Sequence, residues 1–98
     1  MVSERRHTRS SNRWIALFHL FAQRAPAGAV LADDQGLPLV AVGMPDAEAD
    51  VAAAELVRTN EPPIATALGL EVRLFVRALD AQAQRWLASD VARILAMP

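Results

Sequence analysis

Two short apolar segments separated by a polar turn constrain this fold more than any other feature. In the stretch GAVLADDQGLPLVAVG, residues 29–31 and 37–42 are apolar, and Asp33-Asp34-Gln35-Gly36 lies between them. Both segments are too short for a helix, and a glycine at the last turn position favours a type I turn followed by a left-handed residue. The pattern predicts a β-hairpin. Because Pro38 cannot donate to a ladder, its strand is expected at a sheet edge or to start one residue later.

The two aspartates of this turn are interpreted as turn-forming residues rather than as a metal or proton site. Adjacent side chains point apart in most turns, and aspartate accepts hydrogen bonds from backbone amides two residues on. The chain contains no Cys, Tyr or Lys. It also lacks a plausible catalytic triad, a phosphate loop and a dinucleotide fingerprint. The prediction is a non-enzyme without catalytic residues, cofactor or metal.

Composition and charge predict one folded domain with a basic extension. Of the 98 residues, 53% are hydrophobic, which is too many for a disordered chain. No apolar run reaches the roughly 20 residues of a membrane span. The chain also has no cysteine that could form a disulfide, so a cytoplasmic location is expected. Residues 1–24 hold five arginines against Glu4, whereas residues 25–98 hold five arginines against ten acids. We therefore expect residues 1–12 to form a flexible basic arm and residues 13–98 a single domain.

Two segments show helical periodicity. The first has Trp14, Leu17, Phe18 and Phe21 at helical spacing and ends before Pro26. The second, PDAEADVAAAELVRTN, has Asp46 as its expected N-cap and alanine at most apolar positions. Small side chains allow close approach to a neighbour. That neighbour is either the domain's own sheet or the same helix of a second copy.

The remainder of the chain contains one clear strand and one ambiguous segment. In LEVRLFVRAL, residues 70–79, apolar and polar residues alternate, and Arg73 and Arg77 share a face. The two arginines either bind an anion together or, as we expect, lie on a solvated face of the sheet with Glu71 as their partner. Residues 60–69 are expected to be a connector. Residues 80–97 fit one helix capped by Asp80, or a strand, QRWLAS, followed by a short helix.

The order of these elements resembles the Roadblock/LC7 family. The resemblance is carried by the first helix, the GAVLADDQGLPLVAVG hairpin and the alanine-rich helix after it, and is best over residues 14–59. It implies an α+β fold with helices packed on a central antiparallel sheet, in the order α-β-β-α-β-β-α. VRLFVRALDAQAQRWLAS then corresponds to a hairpin and VARIL to an abbreviated last helix. The alternative order is α-β-β-α-β-α, with one long C-terminal helix.

The resemblance implies a binding module rather than a catalyst. Family members form homodimers by pairing their second helices and extending the sheet, and in bacteria they serve small Ras-like GTPases as scaffolds or regulators. The implied partners are therefore a second copy, a Ras-like GTPase or another Roadblock protein. The alternative is a small nucleic-acid-associated protein that binds through its arginine-rich arm, although stacking aromatics are missing there. The candidate interface residues are Val51, Ala54, Glu55, Arg58, Arg73, Phe75 and Arg77.

Overall fold

The computed structural model of the chain describes the backbone of residues 2–67 and 69–96, and the side chains of residues 12–66 and 69–96. These residues form three helices and four strands. In chain order the elements are α1 (Val2–Arg24), β1 (Ala29–Ala32), β2 (Pro38–Val42), α2 (Asp46–Arg58), β3 (Ala65–Ala67), β4 (Leu70–Val76) and α3 (Ala81–Leu95).

The four strands form one antiparallel sheet in the order β2-β1-β4-β3. Ala29 of β1 pairs with Val42 on one side and with Val76 on the other, so β1 and β4 are the central strands. The strands β2 and β3 are the two edges. An α+β fold with a central antiparallel sheet is thereby confirmed, and Pro38 stands at the start of an edge strand as expected.

The two faces of the sheet are covered by different helices. On one face, α1 and α3 bury a core that includes Leu17, Phe21, Leu31, Val72, Leu87 and Val91. On the other face α2 packs alone, through a smaller core of Val30, Ala32, Ala49, Ala53 and Leu56. Three of these five residues are alanines, so this core is built from fewer and smaller side chains than the core on the opposite face.

The turn between β1 and β2 is built by Asp33. Its carboxylate accepts hydrogen bonds from the backbone amides of Gln35 and Leu37, at 2.9 and 3.0 Å. Its own amide donates to the carbonyl of Leu37, and Gly36 closes the turn with φ of 79°. The interpretation of Asp33 as a turn-forming residue is confirmed, because two backbone donors occupy one of its carboxylate oxygens.

The C-terminal segment is one helix, so the strand predicted over QRWLAS is wrong. Asp80 caps this helix by accepting a hydrogen bond from the amide of Ala83 at 2.8 Å, as the one-helix alternative predicts. Leu87 and Val91, four residues apart, are fully buried against the sheet. Besides β1, the strand that pairs with β4 is formed by residues 65–67. These residues lie inside the segment that the sequence assigns to a connector.

Two helix starts also differ from expectation. The helix α1 begins at Val2, so residues 2–12, expected as a flexible arm, lie within it. The side chains of residues 1–11, and thus the arginines of that segment, lie outside the described residues. The N-cap of α2 is Pro45, and no side chain caps this end, so the capping role expected of Asp46 is wrong. Asp46 is instead the first residue of the helix.

Candidate interaction surfaces

Four of the predicted interface residues lie on the solvent side of α2. Val51 is 65% exposed, the largest exposure among the large hydrophobic residues that the structure describes. Ala54, Glu55 and Arg58 are exposed as well. The opposite side of the helix, which carries Ala49, Ala53 and Leu56, faces the sheet. The outer side of α2 is therefore free to meet another molecule.

An ion pair stands on this surface. Arg58 donates two hydrogen bonds to the carboxylate of Glu55, from Nε at 2.6 Å and from a terminal nitrogen at 2.7 Å. These hydrogen bonds hold the pKa of Glu55 below its ordinary value and raise the pKa of Arg58. Both side chains are exposed, so the pair contributes little to stability. It does fix the position of two opposite charges beside Val51.

Arg73 and Phe75 of β4, with Arg77 directly after the strand, lie on the face that α2 covers, and they are mostly engaged within the chain. Phe75 packs against the smaller core. Arg77 forms an ion pair with Glu48 of α2, and its guanidinium carbon lies 5.8 Å from the centre of the Phe75 ring. Phe75 and Arg77 therefore hold α2 on the sheet through apolar packing and an ion pair, and Arg77 is not free to bind an anion together with Arg73.

Arg73 departs furthest from expectation. The sequence suggests a solvated residue paired with Glu71, but Arg73 is only 9% exposed. Its Nε donates to the backbone carbonyl of Glu61 at 2.6 Å, and the Glu71 carboxylate lies 3.8 Å from a terminal nitrogen. Arg73 thus ties the segment after α2 to the sheet. The seven candidates divide into an exposed group on α2 and a structural group on β4 and directly after it.

A second surface, which the sequence does not indicate, lies where α1 passes over the edge strand β2. A groove there is lined by Trp14, Ile15, Phe18, His19, Leu39, Val40 and Ala41. Ile15 is 52% exposed, Phe18 49% and Leu39 37%. Phe18 shares the helical spacing of Leu17 and Phe21, but of these three residues only Leu17 and Phe21 are buried in the core.

The same edge strand has an acidic border on its other side. A groove beside the start of α2 is lined by Pro38, Leu39, Val40, Ala41, Asp46, Ala49 and Asp50. Neither Asp46 nor Asp50 forms an ion pair with any residue in the described part of the chain. The strand β2 is therefore flanked by an apolar wall on one face of the sheet and by two unpaired carboxylates on the other.

Within the described residues, no three His, Asp or Glu side chains lie close enough together to hold a metal ion. None of the described helices combines the length and hydropathy needed to cross a bilayer. No protein-family model, curated protein or solved structure matches this chain.

Proposed function

We propose that this chain is a non-catalytic protein–protein interaction module, a homodimeric scaffold or co-regulator of a Ras-like small GTPase. The observation that carries the proposal is the outer side of α2, where Val51 is 65% exposed on a helix rich in alanine. The resemblance of residues 14–59 to the Roadblock/LC7 family supports the choice of a GTPase as partner. The bacterial setting and the cytoplasmic location belong to the same proposal.

The chemistry of α2 suits pairing with the same helix of a second copy. In a two-fold dimer each surface meets its own equivalent, so one exposed valine on each copy places two apolar side chains at the centre. Small neighbours such as Ala54 let the two helices approach closely. The Glu55–Arg58 pair then lies at the rim, where exposed charges affect specificity more than affinity.

The solution mass tests the dimer. One chain has a mass of 10.6 kDa, so light scattering after gel filtration should report about twice this mass. Val51→Asp should return the mass to that of one chain, because it places two like charges at the centre of the interface. The matched control is Trp86→Asp, since Trp86 is 59% exposed on α3 across the sheet. A monomer at high micromolar concentration, or a dimer unchanged by Val51→Asp, contradicts this proposal.

The GTPase part has a separate test. A Ras-like GTPase encoded in the same genome should bind the dimer with different affinity in its GTP-bound and GDP-bound forms. Isothermal titration with a non-hydrolysable GTP analogue and with GDP measures this difference. Equal affinity for the GTP-bound and GDP-bound forms of every such GTPase contradicts a regulatory role. In that case only the scaffold role remains of the proposal.

The excess of arginine in residues 1–24 supports a second candidate, binding of nucleic acid. Such binding weakens steeply with salt, because each phosphate contact releases counterions. If α2 forms the interface, the chain without residues 1–12 should still be a dimer, with twice the mass of the shortened chain. If the protein binds DNA or RNA at physiological salt and loses this binding with residues 1–12, the second candidate replaces the first.

A further inference from the structure

We propose that the open edge of β2 binds an extended segment of another protein in which apolar and basic side chains alternate. The site lies between α1 and the start of α2, and it is separate from the outer side of α2. The two proposals therefore stand or fall independently.

The geometry of the edge defines the form of the ligand. Among the described strands β2 pairs only with β1, so its other side is an open edge within that part of the chain. An added strand would lie about 4.8 Å from β2, and its successive side chains would point to opposite faces of the sheet. One set of alternate side chains would then meet α1, and the other set would meet α2.

The wall on the α1 face selects apolar side chains. Ile15 and Phe18 project beside the edge, each about half exposed, and Leu39 lies on the strand itself. From Phe18 the surface continues past Ala22, Pro26, Val42 and Met44. Burying such side chains against one another contributes roughly 25 cal/mol per Å² of apolar area removed from water. This face therefore supplies most of the affinity.

The border on the α2 face selects basic side chains. Asp46 and Asp50 are four residues apart, so they share one side of the helix, and both line the groove at β2. Both are exposed and unpaired among the described residues. The positive end of the helix dipole already favours a negative charge at Asp46. Lysine or arginine at every second position of the ligand would form ion pairs with two carboxylates that no described side chain pairs with.

The same charges argue against a second copy as occupant. If two β2 edges paired antiparallel about a two-fold axis, each face of the joined sheet would carry the same helix from both copies. Asp46 and Asp50 of both chains would then crowd together on one side. Like charges in such proximity disfavour pairing. A basic segment removes this repulsion, so the ligand belongs to a different protein.

The edge also limits the length of the contact. Pro38 has no amide hydrogen, and the register shifts so that Leu31 pairs with Val40 and Ala32 with Pro38, leaving Leu39 without a partner on β1. Prolines and bulges protect edge strands from indiscriminate pairing. A regular ladder is thus available only over about three residues. Recognition must come from the side chains on both faces, which makes the site selective.

Peptide titration followed by the fluorescence of Trp14 tests the proposal. Trp14 lines the groove, and the Trp86→Phe background leaves it as the chain's one tryptophan. The probes are the capped peptides VRVRVRV, VEVEVEV and SRSRSRS. We expect saturable binding of VRVRVRV, no binding of VEVEVEV, and at least about tenfold weaker binding of SRSRSRS, because the serine peptide lacks the apolar side chains.

Charge variants locate the contact. Replacing both Asp46 and Asp50 by Asn should weaken VRVRVRV about tenfold at low salt, since two partly exposed ion pairs are lost. The control replaces Glu61 and Glu71 by Gln, which changes the net charge equally beside the opposite edge strand. This control should change the affinity by less than about twofold. Far-UV circular dichroism checks that all variants fold.

Several results overturn the proposal. If VEVEVEV binds as tightly as VRVRVRV, the acidic border does not select charge. Equal binding of SRSRSRS means that the interaction is unspecific electrostatics. Equal weakening by both double variants has the same meaning. If the protein alone sediments as a dimer that Phe18→Asp dissociates, the surface is occupied by a second copy instead.

Discussion

Replacing Arg73 by Met tests whether a buried arginine holds the segment after α2 on the sheet. The side chain is 10% exposed, and its closest partner is the carbonyl oxygen of Glu61, 2.6 Å from Nε. Three residues further on, at Ile64, the backbone amide donates to the carbonyl of Val72 at 2.8 Å, which starts the β3–β4 pairing. The arginine and this first ladder bond therefore act on the same segment.

The expected magnitude follows from these contacts. A hydrogen bond to a charged group contributes about 1.5–3 kcal/mol, and the ion pair with the 59% exposed Glu71 adds less than about 1 kcal/mol. Burying the charged guanidinium costs free energy in the native protein, and the Met variant does not incur this cost. Met also retains most of the apolar packing of the arginine stem. Water can also reach the exposed Glu61. We expect the free energy of unfolding to fall by about 1–2 kcal/mol in Arg73→Met. Each kcal/mol lowers Tm by about 4–8 °C in a domain of this size.

Urea denaturation and amide exchange measure the effect. The free energy of unfolding should fall in Arg73→Met, and the exchange of the Ile64 amide should accelerate more than that of α1 or α3. Arg85→Met is the control, because Arg85 is exposed on α3 and Met has a similar helix propensity. Equal or greater stability of Arg73→Met refutes the reasoning, since the burial cost then cancels the hydrogen bond. A lower dimer mass at unchanged stability would make Arg73 an interface residue after all.

Two further predictions concern local electrostatics. Asp80→Ala should lower the free energy of unfolding by about 1 kcal/mol in thermal melts, because the amide of Ala83 loses its acceptor. Asp46→Ala should cost less, because that side chain caps nothing. In an NMR titration Glu55 should show a pKa below its ordinary 4.5, and Arg58→Met should raise that pKa towards the ordinary value. Because this pKa is lowered in the folded state, its small stabilising effect exists above pH 4.5 and is lost as the pH falls through the folded value.

Features that depend on a few neighbouring residues follow from the sequence. The turn at Asp33 is predicted correctly, and the cap at Asp80 is visible in the sequence as part of the one-helix alternative, because each carboxylate bonds amides two to four residues away. The alternation along β4 likewise identifies Val72 as a core residue. The hydrogen bonds of the turn and of the cap join residues at most four positions apart, so their signal lies in a short stretch of sequence.

Features that depend on distant segments were decided by tertiary structure. The segment QRWLAS has helical propensity, and its identity as helix follows once residues 65–67 supply the strand beside β4. Phe18 has the same helical spacing as Leu17 and Phe21, but α1 crosses the sheet edge and leaves it half exposed. Arg73 is buried because the carbonyl of Glu61 meets it from twelve residues away. Local periodicity specifies that a residue faces one side of its element, whereas packing decides what, if anything, covers that side.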